Sequence, residues 1–237
     1  MRAAIIQSNY IPWRGYFDFI DDVDVFIFHD DIQYTKADWR NRNRIKTSSG
    51  VRWMTVPVKH AETSQLISET RIDYTRDWIT RHKRMLEASY RNSPYFEEHF
   101  QEYSMLLENN YETISDLNIA VCSWITRVLQ IPTPLRRSMD LNPKGAKTER
   151  IISILKDIGA DVYLSGPTAK GYLDHGLFRE HDIGLEFKAY HYTAYPQLWG
   201  EFEPAVTVLD LLFNLGPAAR QYLKSLSPNE VCIEPRS

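Results

Sequence analysis

The chain has 237 residues, 43% hydrophobic and 13% aromatic, enough to bury a substantial core as one α/β domain over 1–237 with a helical insertion at about 76–130. A formal charge of −3 argues against a surface that coats nucleic acid and leaves room only for a local basic patch. The two cysteines lack CxxC spacing and imply neither a disulfide framework nor a zinc site, and with no HExxH or EF-hand loop no metal centre is expected. No run approaches ~18 apolar residues and the N-terminus has no leader-like core, so no membrane insertion and a cytoplasmic location are expected.

Residues 3–6 read as a short apolar strand, 7–14 as a turn stiffened by Pro12, 15–20 as an amphipathic helix and 25–28 as the next strand. Such a βαβ unit places ligands beyond the carboxyl ends of its strands, which sets Gln7, Ser8, Asn9 and Tyr10 beside His29, Asp30 and Asp31 on one rim. Residues 33–50 read as a polar, basic loop, 51–58 as a third strand and 70–73 as a short edge strand. Helical periodicity follows from 76 to 129, with breaks near Ser93-Pro94 and Asn109-Asn110 giving three helices. A fourth strand (134–138), a helix (147–158), a fifth strand (161–164) and a sixth (184–190) come next. Helices at 206–215 and 218–226, separated by Gly216-Pro217, close the chain. The expected fold is a mostly parallel α/β sheet in the order 3-2-1-4-5, as in Rossmann-like and HUP-type nucleotide-binding domains.

Asp30 and Asp31 end a buried strand, where a carboxylate can orient an amine, bind a hydroxyl or accept a proton; a turn or cap is the plain alternative. His29, with an ordinary pKa near 6.5, can serve as a base beside either aspartate or simply pack. Arg40, Arg42 and Arg44 alternate, so in an extended segment they share one face, where guanidinium forks suit phosphate and Trp39 suits a base or sugar ring. The same pattern also serves a solvated strand edge that resists aggregation. Ser165, Gly166 and Lys170 follow the fifth strand and can present backbone N–H groups and a cation to an anion, although a plain turn has the same composition. Tyr195, Gln197 and Trp199 suit a sugar-stacking loop or a packed core equally.

Several stretches carry a more specific signal: 7–17 (QSNYIPWRGYF), Asp30-Asp31-Ile32-Gln33-Tyr34, Trp39-Arg40-Asn41-Arg42-Asn43, Thr55-Val56-Pro57-Val58, Thr148-Glu149-Arg150, Tyr163-Leu164-Ser165-Gly166-Pro167 and Tyr195-Pro196-Gln197-Leu198-Trp199. Together they resemble the WbqC-like family of bacterial O-antigen and related polysaccharide gene clusters, over nearly the whole chain. The resemblance implies an N-acyl- or aminoacyltransferase that tailors an amino sugar or similar small amine. Asp30, Asp31 and His29 would be its catalytic set. Gln7, Asn9, Tyr10, Gln33, Tyr34, Tyr195, Gln197 and Trp199 would hold the substrate, and Arg40, Arg42, Arg44, Ser165, Gly166 and Lys170 the phosphate of a donor. No tightly bound cofactor is expected. The acyl donor would be a carrier thioester, CoA or aminoacyl-tRNA, and the partners a small amine or nucleotide-linked amino sugar together with an acyl carrier protein or charged tRNA. Two alternatives stay open: a HUP-like nucleotidyl-transferring amide ligase using ATP and Mg²⁺, and a non-catalytic sugar-nucleotide-binding protein. The opening strand is also distantly similar to the pantothenate synthetase and adenylyltransferase group, but the HxGH histidine pair of that group is missing here.

Overall fold

A computed structural model describes residues 1–59 and 64–235. The chain begins with β1 (Arg2–Ile6), α1 (Arg14–Asp21) and β2 (Val25–Phe28), then forms an antiparallel hairpin of β3 (Arg42–Thr47) and β4 (Gly50–Thr55). A small antiparallel pair, β5 (Val58–Lys59) and β6 (Arg71–Ile72), leads into α2 (Trp78–Tyr90), α3 (Phe96–Leu107) and α4 (Ile114–Val128). The remainder is β7 (Leu135–Arg137), α5 (Lys147–Ile158), β8 (Val162–Ser165), α6 (His175–Glu180), β9 (Gly184–Phe187), α7 (Val208–Leu215) and β10 (Glu230–Ile233).

Six strands make the central sheet, ordered β10-β9-β8-β1-β2-β7, parallel throughout except for the antiparallel edge strand β10. Its inner strands are buried on both faces, which is why they read as unbroken apolar runs such as Val25–Phe28. Side chains alternate across the sheet. Ala4, Phe26, Phe28 and Leu164 face a core shared with α1, α2, α3, α4 and α7, whereas Ala3, Ile5, Val25, Ile27, Tyr163, Leu185 and Phe187 face a second core with α5 and α6. Among the described residues no helix is long and apolar enough to cross a membrane.

The structure corrects the expected third strand. Residues 51–58 do not join the sheet, and β7 takes the place beside β2. The reason is legible in β4, where Trp53 is exposed while its neighbour Met54 is buried: this strand hides only one face, which suits a hairpin. Gly50 closes that hairpin at φ 93°, a left-handed conformation that costs glycine little. The supposed loop 33–50 therefore contains β3. The last expected helix is instead a 3-10 segment, Gly216–Tyr222, and β10 has no counterpart in the expectation.

Beneath the sheet rim a buried polar chain ties the helical excursion to the first loop. Tyr10 Oη lies 2.9 Å from His82 Nδ1 and 2.6 Å from Tyr103 Oη, and His82 Nε2 lies 3.2 Å from the carbonyl of Thr55. A carbonyl only accepts, so Nε2 carries the imidazole proton and Nδ1 accepts from Tyr10, whose oxygen in turn accepts from Tyr103. Burial lowers the His82 pKa to about 4. The unfolded chain, with His82 near 6.5, therefore takes up a proton at a pH where the fold does not, and stability falls as pH drops from about 6.5 to about 4. Thermal melts at pH 7.5 and pH 5 should show this loss in the wild type and a flatter pH dependence in His82→Gln.

Candidate functional site

The loops leaving β1 and β2 are abreast, since Ile6 pairs with Phe28 and His29 N donates to Ile6 O at 2.9 Å. Asp30 fixes both. Its carboxylate is 3% exposed and accepts from Ser8 N at 2.8 Å and from Ser115 Oγ of α4 at 2.5 Å. Asn118, one turn further along α4, donates to Ser8 Oγ at 3.1 Å and to the carbonyl of Arg40 at 2.8 Å. The structure therefore places Asp30, expected in the catalytic set, as the tie that holds the rim.

Asp31 turns to the opposite face of the sheet. It accepts from Ser138, which follows β7, and from Arg150 in the first turns of α5; Arg150 also donates to Pro143 O at 2.8 Å. His29 Nε2 lies 3.8 Å from Asp31 Oδ1, is shielded from solvent and has no hydrogen-bond partner. Burial lowers the His29 pKa, against the pull of Asp31, so the ring is neutral at pH 7. This arrangement holds a proton acceptor with a carboxylate ready to stabilise its charged form.

A second polar group surrounds a half-open cavity of about 280 Å³, lined by Asn9, Pro12, Trp13, Trp39, Asn43, Arg44 and Ala205. Arg42 and Arg44 project from the outer face of the hairpin, as their alternation predicts. The Arg42 guanidinium sits 4.2 Å from the Trp53 ring centroid, and that of Arg44 sits 5.9 Å from Trp39 and 5.8 Å from Trp53. Arg40 does not join them: it precedes β3 and donates to Asn9 Oδ1 and to Asp38 at 3.2 Å. Trp13 is set by its neighbours, edge-on to Tyr190 and Tyr192 at 5.3 and 5.6 Å, and a Cβ on Gly15 would run into its indole. Of these residues, Trp13, Trp53, Ser138 and Arg150 were not among the expected site residues. Arg150 and Trp13 lie inside the specific stretches, and Trp53 shows only as an aromatic beside a basic strand.

Other expected residues lie elsewhere. Tyr10 is wholly buried in its hydrogen-bonded chain, and Tyr34 is 3% exposed, with burial raising its phenol to about 12. Gln33 is exposed, in an isolated bridge to Leu66, while Gln7 is half-buried at the rim with its carbonyl accepting from Tyr16 at 2.9 Å. Ser165 is buried, and the segment after it, Pro167–Gly171 with Gly166 as its cap, forms a 3-10 turn instead of an α-helix N-terminus. Lys170 is paired with Glu230. Tyr195 donates to buried Asp210 at 2.9 Å; Gln197 donates to Tyr195 Oη and Glu203 O and accepts from Lys46 at 3.1 Å; Trp199 donates to Ser89 O at 2.7 Å. All three hold in place the loop whose Ala205 lines the cavity. Arg44 and Asn9 thus meet at one hollow with Arg42 two positions away on the same strand face, Asp30 ties the loop that carries Asn9, and Asp31 with His29 forms a separate group on the same rim.

A mostly parallel α/β sheet with polar groups gathered beyond its strands' carboxyl ends is the frame of these features. The chain belongs to the WbqC-like protein family, whose pattern matches residues 7–222. It is 47% identical over 226 residues to a protein of Mycobacterium tuberculosis described as uncharacterized protein Rv1507c, covering 94% of this chain and 97% of that one. No solved structure matches the chain significantly.

Because Gly15 makes room for the indole that walls the cavity, Gly15→Ala should displace Trp13 and destabilise the fold by about 1–3 kcal/mol. Denaturant titration checks the magnitude, and a Trp13→Phe background should relieve part of the loss.

Proposed function

We propose that the protein is a transferase acting in the cytoplasm that joins an acyl or aminoacyl group to the amine of an amino sugar or similar small molecule, for surface polysaccharides of the O-antigen type. The observation that carries this reading is His29: a neutral imidazole at the strand rim, its Nε2 without a partner and 3.8 Å from a carboxylate. In the reaction the amine nitrogen attacks the acyl carbonyl. The N–C bond forms, the bond to the carrier's sulfur or oxygen breaks, and the proton leaving nitrogen goes to His29 Nε2. Asp31, oriented by Arg150 and Ser138, stabilises the resulting imidazolium. Neither a cysteine nucleophile nor a bound cofactor is required when the two reactants are aligned, which by itself lowers the barrier substantially. Candidate donors are a carrier thioester, CoA or aminoacyl-tRNA. Arg42 and Arg44 would hold the phosphate-bearing reactant. Rossmann-like and HUP-type sheets place ligands beyond their strands' carboxyl ends, and reading this sheet as one of them supports the same location.

Mass spectrometry of amino sugars incubated with pooled acyl donors tests the reading. His29→Gln should lower turnover by roughly 10²–10⁴-fold while leaving the melting temperature within a few degrees. Since the folded pKa of His29 lies below 6.5, the acid limb of the rate profile should fall below that pH. Arg42→Ala should raise KM. Undiminished product from His29→Gln would remove the assigned base.

A further inference from the structure

The structure assigns the tryptophan-lined cavity to the base and diphosphate of a nucleotide-linked sugar; the inference deepens the transferase reading and rests on it for what the bound sugar is used for. Two observations carry it. The first is the wall chemistry: the indoles of Trp13 and Trp39, with Pro12 and Ala205, give broad apolar faces around a hollow of about 280 Å³, suited to one flat heteroaromatic ring. The second is the set of polar atoms left over. Asn43 is spent, since its amide nitrogen donates to the carbonyls of Tyr10 and Ile11 at 3.1 and 3.0 Å and its oxygen accepts from Arg44 N at 2.8 Å. Asn9 Oδ1 takes Arg40, which leaves the Asn9 amide N–H groups free.

The guanidiniums of Arg42 and Arg44 lie over indoles and have neither ion pair nor hydrogen bond among the described residues. Elsewhere the chain gives its enclosed arginines polar partners: Arg40 meets Asp38, Arg137 meets Asp116, Arg150 meets Asp31, Arg220 meets Asp21, and Arg14, which has no carboxylate, donates to the carbonyls of Thr193 and Tyr222. Two uncompensated guanidiniums beside a ring-shaped hollow are therefore a specific departure. The unpaired Asn9 amide and the two guanidiniums all donate, so they suit an occupant that accepts, through ring carbonyls, ribose oxygens and phosphate oxygens. Positions i and i+2 of a strand are roughly 7 Å apart, a spacing that lets two forks grip one diphosphate from either side. A bare acyl phosphate leaves the aromatic walls without a role. A polynucleotide needs a cationic track, which one ring-sized hollow on a chain of net charge −3 does not supply.

The test is calorimetric and tryptophan-fluorescence titration of the full chain with UDP-, GDP-, CDP- and ADP-linked hexoses, the four nucleoside diphosphates, free nucleosides, inorganic pyrophosphate and coenzyme A. At least one nucleotide sugar should bind and change the tryptophan signal, at least tenfold more tightly than its nucleoside or pyrophosphate. Trp39→Leu and Arg44→Gln should each weaken it at least tenfold. Arg42→Gln, which removes no hydrogen bond or ion pair, should do so without altering the melting temperature. Absence of nucleotide-sugar binding, equal binding by pyrophosphate, a preference for coenzyme A over every nucleotide sugar, or affinity unmoved in all three variants overturns the assignment. Nucleotide-sugar binding without acyl transfer from any donor would sink the transferase reading and leave the site standing. Transfer to an amine that nucleoside diphosphates neither carry nor inhibit would do the reverse.

Discussion

The rim of this protein depends on the buried carboxylate of Asp30. It is joined to the end of β2, yet its hydrogen bonds go to the loop after β1 and to α4, so one side chain sets three elements in register. Ser8 and Ser115 are themselves enclosed, at 0% and 1% exposure, so without that carboxylate an amide and a hydroxyl would each be left unsatisfied at about 1–3 kcal/mol. Asn118 extends the same tie to the backbone of Arg40. The helices between β6 and β7 are therefore braces for the loops at the rim, through the inward-facing Ser115 and Asn118 of α4, His82 of α2 and Tyr103 of α3.

A second buried carboxylate does comparable work on the late loop. Asp210 in α7 accepts from Tyr90 of α2 at 2.9 Å and from Tyr195 at 2.9 Å, and burial raises its pKa. Tyr90 Oη also accepts from Lys46 N at 3.0 Å, which attaches β3 to the same group. The hairpin and residues 193–207 are thus secured from behind while their outer side chains stay open. The cavity is held from behind by buried polar supports, and its own walls combine apolar rings with the side chains of Asn9 and Arg44.

Much of the frame was legible because burial on both faces leaves a plain mark: Val25–Phe28 is an uninterrupted apolar run, and α5 begins and ends where its periodicity says. The hairpin was not, because Arg42, Asn43, Arg44 and Lys46 have the composition of a loop, and only partners on β4 make them a strand. At the site, the alternation of Arg42 and Arg44 is a local signal and was readable. The roles of Tyr10 and Asp31 were not, since Tyr10 meets partners 72 and 93 positions away and Asp31 meets Arg150 at a separation of 119. Nothing in the first forty residues distinguishes a tyrosine bound for a cleft from one bound for the core.

The β3–β4 hairpin shares no ladder with the central sheet, and its inner residues Ile45 and Met54 are anchored in the core while 42, 44 and 53 point outward. Its outward positions can therefore change sign, size or aromaticity with little effect on the folding of the sheet and helices behind them. Such a device is an interchangeable face: a lineage can change what it presents to solvent by editing three codons, while the anchors Ile45 and Met54 behind it stay untouched.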